Sequence, residues 1–318
     1  MTTSPSSDAS SQIVSRSPAV VFANTHSGRG KFRKLLPHIE IAFRSHGLLA
    51  NIRETSSSKE LEFQAAQAIQ QGTRLLFAVG GDGTLQGLVN AAYGHDVLLG
   101  VIPAGGGNDF ARALNLPLEP LAALAAALSG LPLAVDLVRV RTCDGHIRLY
   151  LGGGGIGLDA ESAKLAGTRY KNWPGRLRYV ASAVRAYFSY RPQRVRVTPD
   201  TSEETPWKSF ILASVLNTPT FGAGIKLAPS ARINDGLLDF SFLEELRFSQ
   251  LVAALPRLVL KGTLHLPHMS SMRVRKLRLE TEVPAFFQAD GELIGLTPVE
   301  IEVVPEAVRF LVPKVAES

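Results

Sequence analysis

The chain has a single cysteine in 318 residues, Cys143, so it can build no intrachain disulfide and no thiolate metal cluster. It lacks an apolar run able to span a bilayer. The longest, Leu121–Val135, is interrupted by Ser129, Gly130 and Pro132. A secretory apolar segment is missing as well: residues 1–17 are rich in Ser and Thr and read as a disordered tail. Neither sign of charge dominates. The 34 basic and 28 acidic residues leave +6, too little to argue for nucleic acid but compatible with an anionic substrate or membrane surface. The seven histidines show no metal-ligand spacing. What remains is 45% hydrophobic against 19% charged residues, the composition of a folded chain with a sizeable core.

The most informative stretch is Val79–Asn90, VGGDGTLQGLVN. It follows the apolar run Arg74–Ala78, which has the length of a buried strand. Gly80, Gly81, Asp82 and Gly83 then form a tight turn, Thr84 is placed to cap, and Leu85–Ala92 reads as a helix. A strand, glycine turn and helix start aim unpaired N–H groups outward, a seat for phosphate oxygens. Asp82 would repel phosphate unless a divalent cation lay between them. The stretch is neither Walker A nor GxGxxG, and a plain tight turn is the alternative reading.

Strands and helices alternate through the first part of the chain. Ala19–Ala23 is a strand leading into the polar loop from Asn24 to Gly30. Leu48–Glu54 is a second strand, followed by a capping-box helix opening at Ser57-Ser58-Lys59-Glu60. Val97–Ile102 is a buried strand before the loop Pro103–Asp109, and Leu118–Leu128 a buried helix. This alternation predicts a parallel, doubly wound sheet with its loops clustered at the carboxyl ends of the strands. From Ala134 strand-like runs dominate, predicting a second, mostly antiparallel domain. The expected organisation is a tail at 1–17, an α/β domain at 18–133, a β-sandwich at 134–304, and a segment 305–318 that returns to the first domain.

Six motifs occur in one order: NTHSG at 24–28, GGDGT at 80–84, PAGGGNDFA at 103–111, GIGLDA at 155–160, GAGIKLAPSARINDGLLD at 222–239 and DGE at 290–292. Together they resemble the soluble bacterial diacylglycerol kinase family, which shares its catalytic domain with sphingosine and ceramide kinases. The resemblance implies an α/β nucleotide-binding domain like that of NAD kinases and phosphofructokinases, followed by an antiparallel β-sandwich. It implies an ATP- and Mg2+-dependent kinase that phosphorylates a lipid hydroxyl, with diacylglycerol as the leading substrate.

The same resemblance assigns residues. Asn24, Ser27, Gly28, Thr55, Gly80, Gly81, Asp82, Gly83, Thr84, Leu85 and Gln86 line the nucleotide pocket, with Gly106, Asn108 and Asp109. Asp82 and Asp159 belong to a metal-and-water network, and Asp159 reads equally as a helix cap. Asp290 is the base for the lipid hydroxyl, with Glu292 beside it, and Asp290-Gly291 is also a hairpin-turn signal. A structural Mg2+ is implied at the Asp235 side chain and the carbonyls of Arg232 and Leu237. Two positions depart from the family. Gly87 stands where a glutamate is usual, and Gly106 where a nucleotide-contacting threonine is usual.

A lipid kinase of this kind is expected in the cytoplasm, visiting the membrane surface peripherally. Homodimer formation is compatible with the sequence. Two stretches are candidate docking surfaces: Arg169–Trp173 with Arg176 and Arg178, and Leu258–His268. The competing readings are an NAD kinase, a sphingoid or ceramide kinase, and a catalytically silent nucleotide- or lipid-binding protein.

Overall fold

The computed structural model describes residues 18–25, 33–170, 173, 175–200, 203–244, 247–262 and 269–314. The tail at 1–17, Ser27, Gly28, Lys171, Asn172 and residues 263–268 lie outside the described residues, as do the side chains of Asp159 and Arg176. The chain forms two compact units, one up to Val135 and again from Ala307, the other Asp136–Glu306.

The first unit is built on four parallel strands, β1 (Ala19–Asn24), β2 (Ala50–Thr55), β3 (Leu75–Gly80) and β4 (Leu98–Pro103), in the order β2-β1-β3-β4. β3 and β4 are buried along their whole length, as expected for unbroken apolar runs covered on both faces. The helices are α1 (Leu36–Ser45), α2 (Ser58–Gln70), α3 (Asp82–Ala92), α4 (Asp109–Ala113) and α5 (Pro120–Leu128). The crossover β1 to β2 runs one way along the sheet, and β2 to β3 to β4 the other. Right-handed crossovers therefore put α1 on the face opposite α2 and α3. The packing agrees: α2 lies against α3, and α1 against α5. This reversal makes the carboxyl ends of β1 and β3 a topological switch point, where ligands bind in such sheets.

Local signals explain the helix starts. Pro37 lies at the first helical positions of α1, where its missing N–H costs nothing. Ser57 caps α2 by accepting the Glu60 N–H at 3.1 Å. The Glu60 carboxylate returns to the N–H of Ser56 at 2.7 Å, one residue earlier than a standard box. Helix α3 begins earlier than its sequence suggests. Gly81 is the N-cap, and Thr84 sits inside the first turn instead of capping it. The Thr84 hydroxyl serves another purpose, described below.

The second unit contains β5 (Leu131–Arg141, from Asp136 on), β6 (Ile147–Tyr150), β7 (Gly153–Gly157), β8 (Gln193–Pro199), β9 (Lys208–Phe210), β10 (Leu212–Leu216), β11 (Thr220–Phe221), β12 (Ile225–Lys226), β13 (Leu238–Leu243), β14 (Met269–Val274), β15 (Lys276–Thr281), β16 (Phe286–Ala289), β17 (Glu292–Leu296) and the first part of β18 (Val299–Val312). One antiparallel sheet has the order β14-β13-β10-β7-β16-β17. Antiparallel pairing also joins β18, β15, β8 and β9, and β5, which pairs with β18 as well, to β6. Their inward residues share one core, including Val138, Ile156, Val197, Phe240, Leu279, Phe287 and Ile301, which makes this unit a β-sandwich. Three helices flank it: α6 (Leu158–Gly167), α7 (Gly175–Ser189) and α8 (Phe248–Lys261). From Ala307 strand β18 belongs to the first unit, where Arg309 and Phe310 pair in parallel with Leu98 and Leu99 of β4.

Candidate functional site

In the first unit, register aligns the strand ends. Asn24 lies opposite Thr55, and Gly80 opposite Pro103, so the loops after β1, β2, β3 and β4 emerge at one edge. Asn24 Nδ2 donates to Thr84 Oγ1 at 3.0 Å, tying the β1 loop to the first turn of α3. The backbone N–H of Thr25 donates to the Thr55 carbonyl at 2.8 Å. The Thr55 hydroxyl is buried and has no partner among the described residues. An unpaired buried hydroxyl is costly, so a ligand group is its natural complement.

The two glycine loops touch through their main chains. A Cβ built on Gly105 would lie 2.5 Å from the Gly81 Cα, and one on Gly81 would lie 3.1 Å from the Gly105 Cα. Only glycine fits this approach. Asn108, in the left-handed region at φ 56°, closes the second loop, exchanging hydrogen bonds with Gly105 N–H and carbonyl at 3.0 Å each.

Asp82 fastens the second loop to the first. Its carboxylate accepts the N–H groups of Asp109 at 3.2 Å and Phe110 at 3.0 Å. Phe110 is fully buried, with its ring 5.1 Å from that of Phe310 on the returning strand. Burial, together with the neighbouring Asp109 carboxylate, pushes the Asp82 carboxyl up to about 6, against the pull of the two N–H donors. A cation here would relieve that penalty. The unpaired Thr55 hydroxyl, the glycine cradle and the strained Asp82 charge all suit a phosphate-bearing ligand with a divalent ion. Leu85 and Gln86 are buried in α3, whereas Gly106 is exposed at the loop tip.

In the second unit, Asp290 and Gly291 form the two-residue loop of the β16–β17 hairpin, both with positive φ (48° and 87°). That is the turn an Asp-Gly pair favours. The same geometry turns the Asp290 carboxylate onto the main chain entering β7. Oδ2 accepts the Leu151 N–H at 2.8 Å, and Oδ1 accepts those of Gly152 at 2.9 Å and Gly153 at 3.2 Å. The Asp290 N–H donates to the Gly153 carbonyl at 2.8 Å. Asn217 holds this segment from behind: its N–H reaches the Gly152 carbonyl at 2.8 Å, and its amide the Leu151 carbonyl at 3.0 Å. Asn217 and Leu151–Gly153 were not singled out by sequence reasoning; the glycine run at 152–155 was their only signal. Glu292 begins β17, partly buried and paired across the hairpin with Ala289. Asp159 lies in the first turn of α6.

A nearly wholly apolar cavity of about 110 Å3 opens beside this segment, with Leu158, Tyr179, Leu212, Phe221, Leu251 and Leu258 in its walls. The segment that binds Asp290 touches one of its walls. A Cβ on Gly153 would strike Phe221 at 2.9 Å, so the strand that donates to Asp290 also rests on a wall of the cavity.

The third predicted cluster is occupied from within. One Asp235 oxygen pairs with the Arg273 guanidinium, and the other accepts the Leu237 N–H at 3.2 Å. Arg273 stands directly across from Asp239 in the β13–β14 ladder and lies 3.6 Å from its carboxylate. Burial raises the Asp239 carboxyl, while Ser230 and Arg273 oppose the shift. One carboxylate already neutralised by a guanidinium, with the carbonyls of Arg232 and Leu237, does not fit Mg2+ as arranged here. Among the described residues no three acidic or histidine side chains form a metal cluster.

Residues 18–140 match the diacylglycerol kinase catalytic domain, and residues 154–312 match the YegS C-terminal NAD kinase beta sandwich-like domain. The chain belongs to the diacylglycerol kinase and YegS-like lipid kinase family. It is a phosphotransferase with an alcohol group as acceptor. Within that family it is 30% identical over 251 residues to a protein named "Diacylglycerol kinase" from Mycobacterium tuberculosis (strain ATCC 25618 / H37Rv), covering 78% of this chain and 80% of that one. It is 32% identical over 298 residues to "Probable lipid kinase YegS-like" of Stenotrophomonas maltophilia (strain K279a), covering 90% and 93%. The fold is similar to a crystal structure of a diacylglycerol kinase from Bacillus anthracis str. Sterne, with a TM-score of 0.70, 18% identity, and 93% and 97% of the two chains covered. Among the described residues no helix is long and apolar enough to cross a membrane.

Proposed function

We propose that the chain transfers the γ-phosphate of ATP, with Mg2+, to the free hydroxyl of diacylglycerol, giving phosphatidic acid. The observation that carries this reading is the Asp290 carboxylate, fixed by three N–H groups at the entry to β7, where Gly153 packs against Phe221 in the wall of an apolar cavity. An acid–base group next to an apolar cavity suits an alcohol carried on acyl chains better than a dinucleotide.

In this reading the cavity takes an acyl segment, and the substrate hydroxyl is thereby held at Asp290. Asp290 receives the hydroxyl proton as the new bond to phosphorus forms, so its placement matters more than its resting basicity. Glu292, at the next strand start, orients the same hydroxyl. The N–H groups of the Gly80–Thr84 turn, with Asn24, Thr55, Asn108 and the residues Ser27 and Gly28, hold the nucleotide. Asp82, with Asp159 as the family resemblance implies, would hold the metal and its waters. When bound, ATP supplies the phosphoryl group and Mg2+ neutralises its oxygens; the protein's task is positioning and charge compensation. No step runs through Asp235, whose charge Arg273 already balances.

Gly87 and Gly106 are the argument for a silent binding protein. Gly87 has a packing reason: a Cβ there would lie 2.5 Å from the Ser58 carbonyl oxygen. It is therefore no sign of a lost site. The test offers ATP separately with diacylglycerol, sphingosine, ceramide and NAD and reads products by mass spectrometry. Phosphatidic acid is the product expected. A phosphorylated sphingoid base or NADP as the dominant product would replace this reading, and no product at all would favour the silent one.

A further inference from the structure

Helices α7 and α8 roof the apolar cavity. Tyr179 and Ala183 of α7, and Leu251 and Leu258 of α8, face into it. Each helix carries a second apolar stripe beside the buried one. On α8, Phe248, Val252, Leu255 and Val259 recur at i, i+4, i+7 and i+11, and the first two are 49% and 46% exposed. On α7, Leu177, Val184 and Phe188 recur at i, i+7 and i+11, and Phe188 is 62% exposed. The stripes join where the Phe188 and Phe248 rings meet at 5.3 Å, with Tyr187 within 6.1 Å of Phe248. Single exposed apolar residues need no explanation, but a contiguous strip across two helices does.

Within the two helices the charge has one sign, and Glu244, just before Arg247, is paired with Lys208. Neither helix contains an acidic residue. Arg185, Arg191 and Arg247 are exposed next to the two phenylalanines in sequence, and none forms an ion pair with a described carboxylate. Leu258 faces the cavity, so the docking stretch predicted at Leu258–His268 does not present it outward.

We propose that this strip, centred on Phe188 and Phe248 and rimmed by Arg185, Arg191 and Arg247, docks on an anionic lipid bilayer. The apolar side chains enter the headgroup–acyl boundary and the arginines contact lipid phosphates, as for an interfacial amphipathic helix. The inference rests on the lipid-kinase reading for its purpose: the roof of the cavity becomes the door through which a bilayer lipid enters. It does not rest on that reading for its evidence.

The test measures partitioning of the full chain onto vesicles of phosphatidylcholine, with and without phosphatidylglycerol, together with turnover of detergent-dispersed diacylglycerol. Wild type should prefer the anionic vesicles. Phe188→Ser with Phe248→Ser should weaken partitioning by about tenfold or more. Glutamine at Arg185, Arg191 and Arg247 should weaken it by about fivefold per charge at low salt, with the deficit vanishing at high salt. Phe63→Ser, an equally exposed phenylalanine on α2, is the control and should leave partitioning unchanged. Detergent-dispersed turnover should stay at the wild-type level in all four proteins. Partitioning by the double phenylalanine variant equal to wild type, or an equal loss in Phe63→Ser, overturns the surface. Wild-type vesicle binding without any lipid turnover sinks the kinase reading alone.

Discussion

Gly87 of α3 lies against the main chain of Ser58 at the start of α2, so closely that an added Cβ would sit 2.5 Å from the carbonyl oxygen and 2.8 Å from the hydroxyl. Two helices of the first unit are brought together at one missing side chain. Elsewhere a helical glycine costs about 1 kcal/mol relative to alanine. Here the close approach decides the sign. Gly87→Ala should destabilise by about 1–3 kcal/mol through overpacking, and Gly87→Glu by more. Denaturant midpoints at unchanged slope would check it. A stabilised alanine variant would show that helix propensity wins.

The Thr55 hydroxyl is the next test, because its two states are separable. It is buried without a partner among the described residues. Thr55→Val should therefore leave the apoprotein's stability within about 1 kcal/mol of wild type. Nucleotide affinity should fall about fivefold to tenfold, the worth of one hydrogen bond. Calorimetric titration with ATP and Mg2+ measures it. An unchanged affinity removes Thr55 from the nucleotide pocket.

Much of this was legible beforehand, for physical reasons that differ by residue. The parallel half announced itself through whole-strand apolar runs such as Leu75–Gly80, which only a sheet covered on both faces can use. The glycine loops were legible because close backbone approach leaves no choice of residue, as at Gly81 and Gly105. Asp290 carried two readings in the sequence, hairpin turn or base. The structure keeps the turn and gives the carboxylate a fixed seat, so those readings never excluded each other. Less visible was anything set by long-range pairing. That Thr84 would take the Asn24 amide instead of capping α3 depends on the order of β1 and β3. That Arg273 would neutralise Asp235 depends on the β13–β14 register.

That last pairing predicts that the Asp235 loop needs no metal. Because the guanidinium already balances Asp235, chelation should leave the apoprotein's thermal midpoint unchanged. Arg273→Met should lower stability by about 1–3 kcal/mol, leaving Asp239 buried without its cation. A chelator-induced drop reversed by Mg2+ that persists in Asp82→Asn would restore a structural metal to the loop at Arg232–Leu237.

Asp82 makes stability depend on pH in a stated direction. Its carboxyl is raised to about 6 in the folded chain from an ordinary 3.8. Between those values the folded state holds a proton that the unfolded state has released. Stability from this group is therefore fully present below about pH 4 and is lost as pH rises through about 6. The residue keeps some solvent contact, so the loss is on the order of 1–3 kcal/mol. Asp82→Asn should abolish this component: the stability gap between wild type and variant should shift in favour of wild type as pH falls from 7 to 4. Saturating Mg2+ and nucleotide should move the wild-type transition to lower pH. Parallel pH profiles for the two proteins would refute the shift.

The base assignment is tested most cleanly by Asp290→Asn. Alanine at this position would leave the N–H groups of Leu151, Gly152 and Gly153 unpaired and would force a β-carbon residue into φ 48° without a polar side chain. Asparagine tolerates that backbone and keeps one acceptor oxygen for the Gly152 and Gly153 donors. It cannot take a proton from an alcohol. Its amide nitrogen faces the buried Leu151 N–H, so the thermal midpoint should fall by the cost of about one lost hydrogen bond, while ATP binds as in wild type and turnover falls by about 10²–10⁴-fold. Lipid affinity should hold, because the cavity walls are untouched, so the loss belongs in kcat and not in KM. Equal phosphate transfer by wild type and Asp290→Asn would mean that another group accepts the proton. Glu292, at the start of the adjoining strand, would then be the residue to replace.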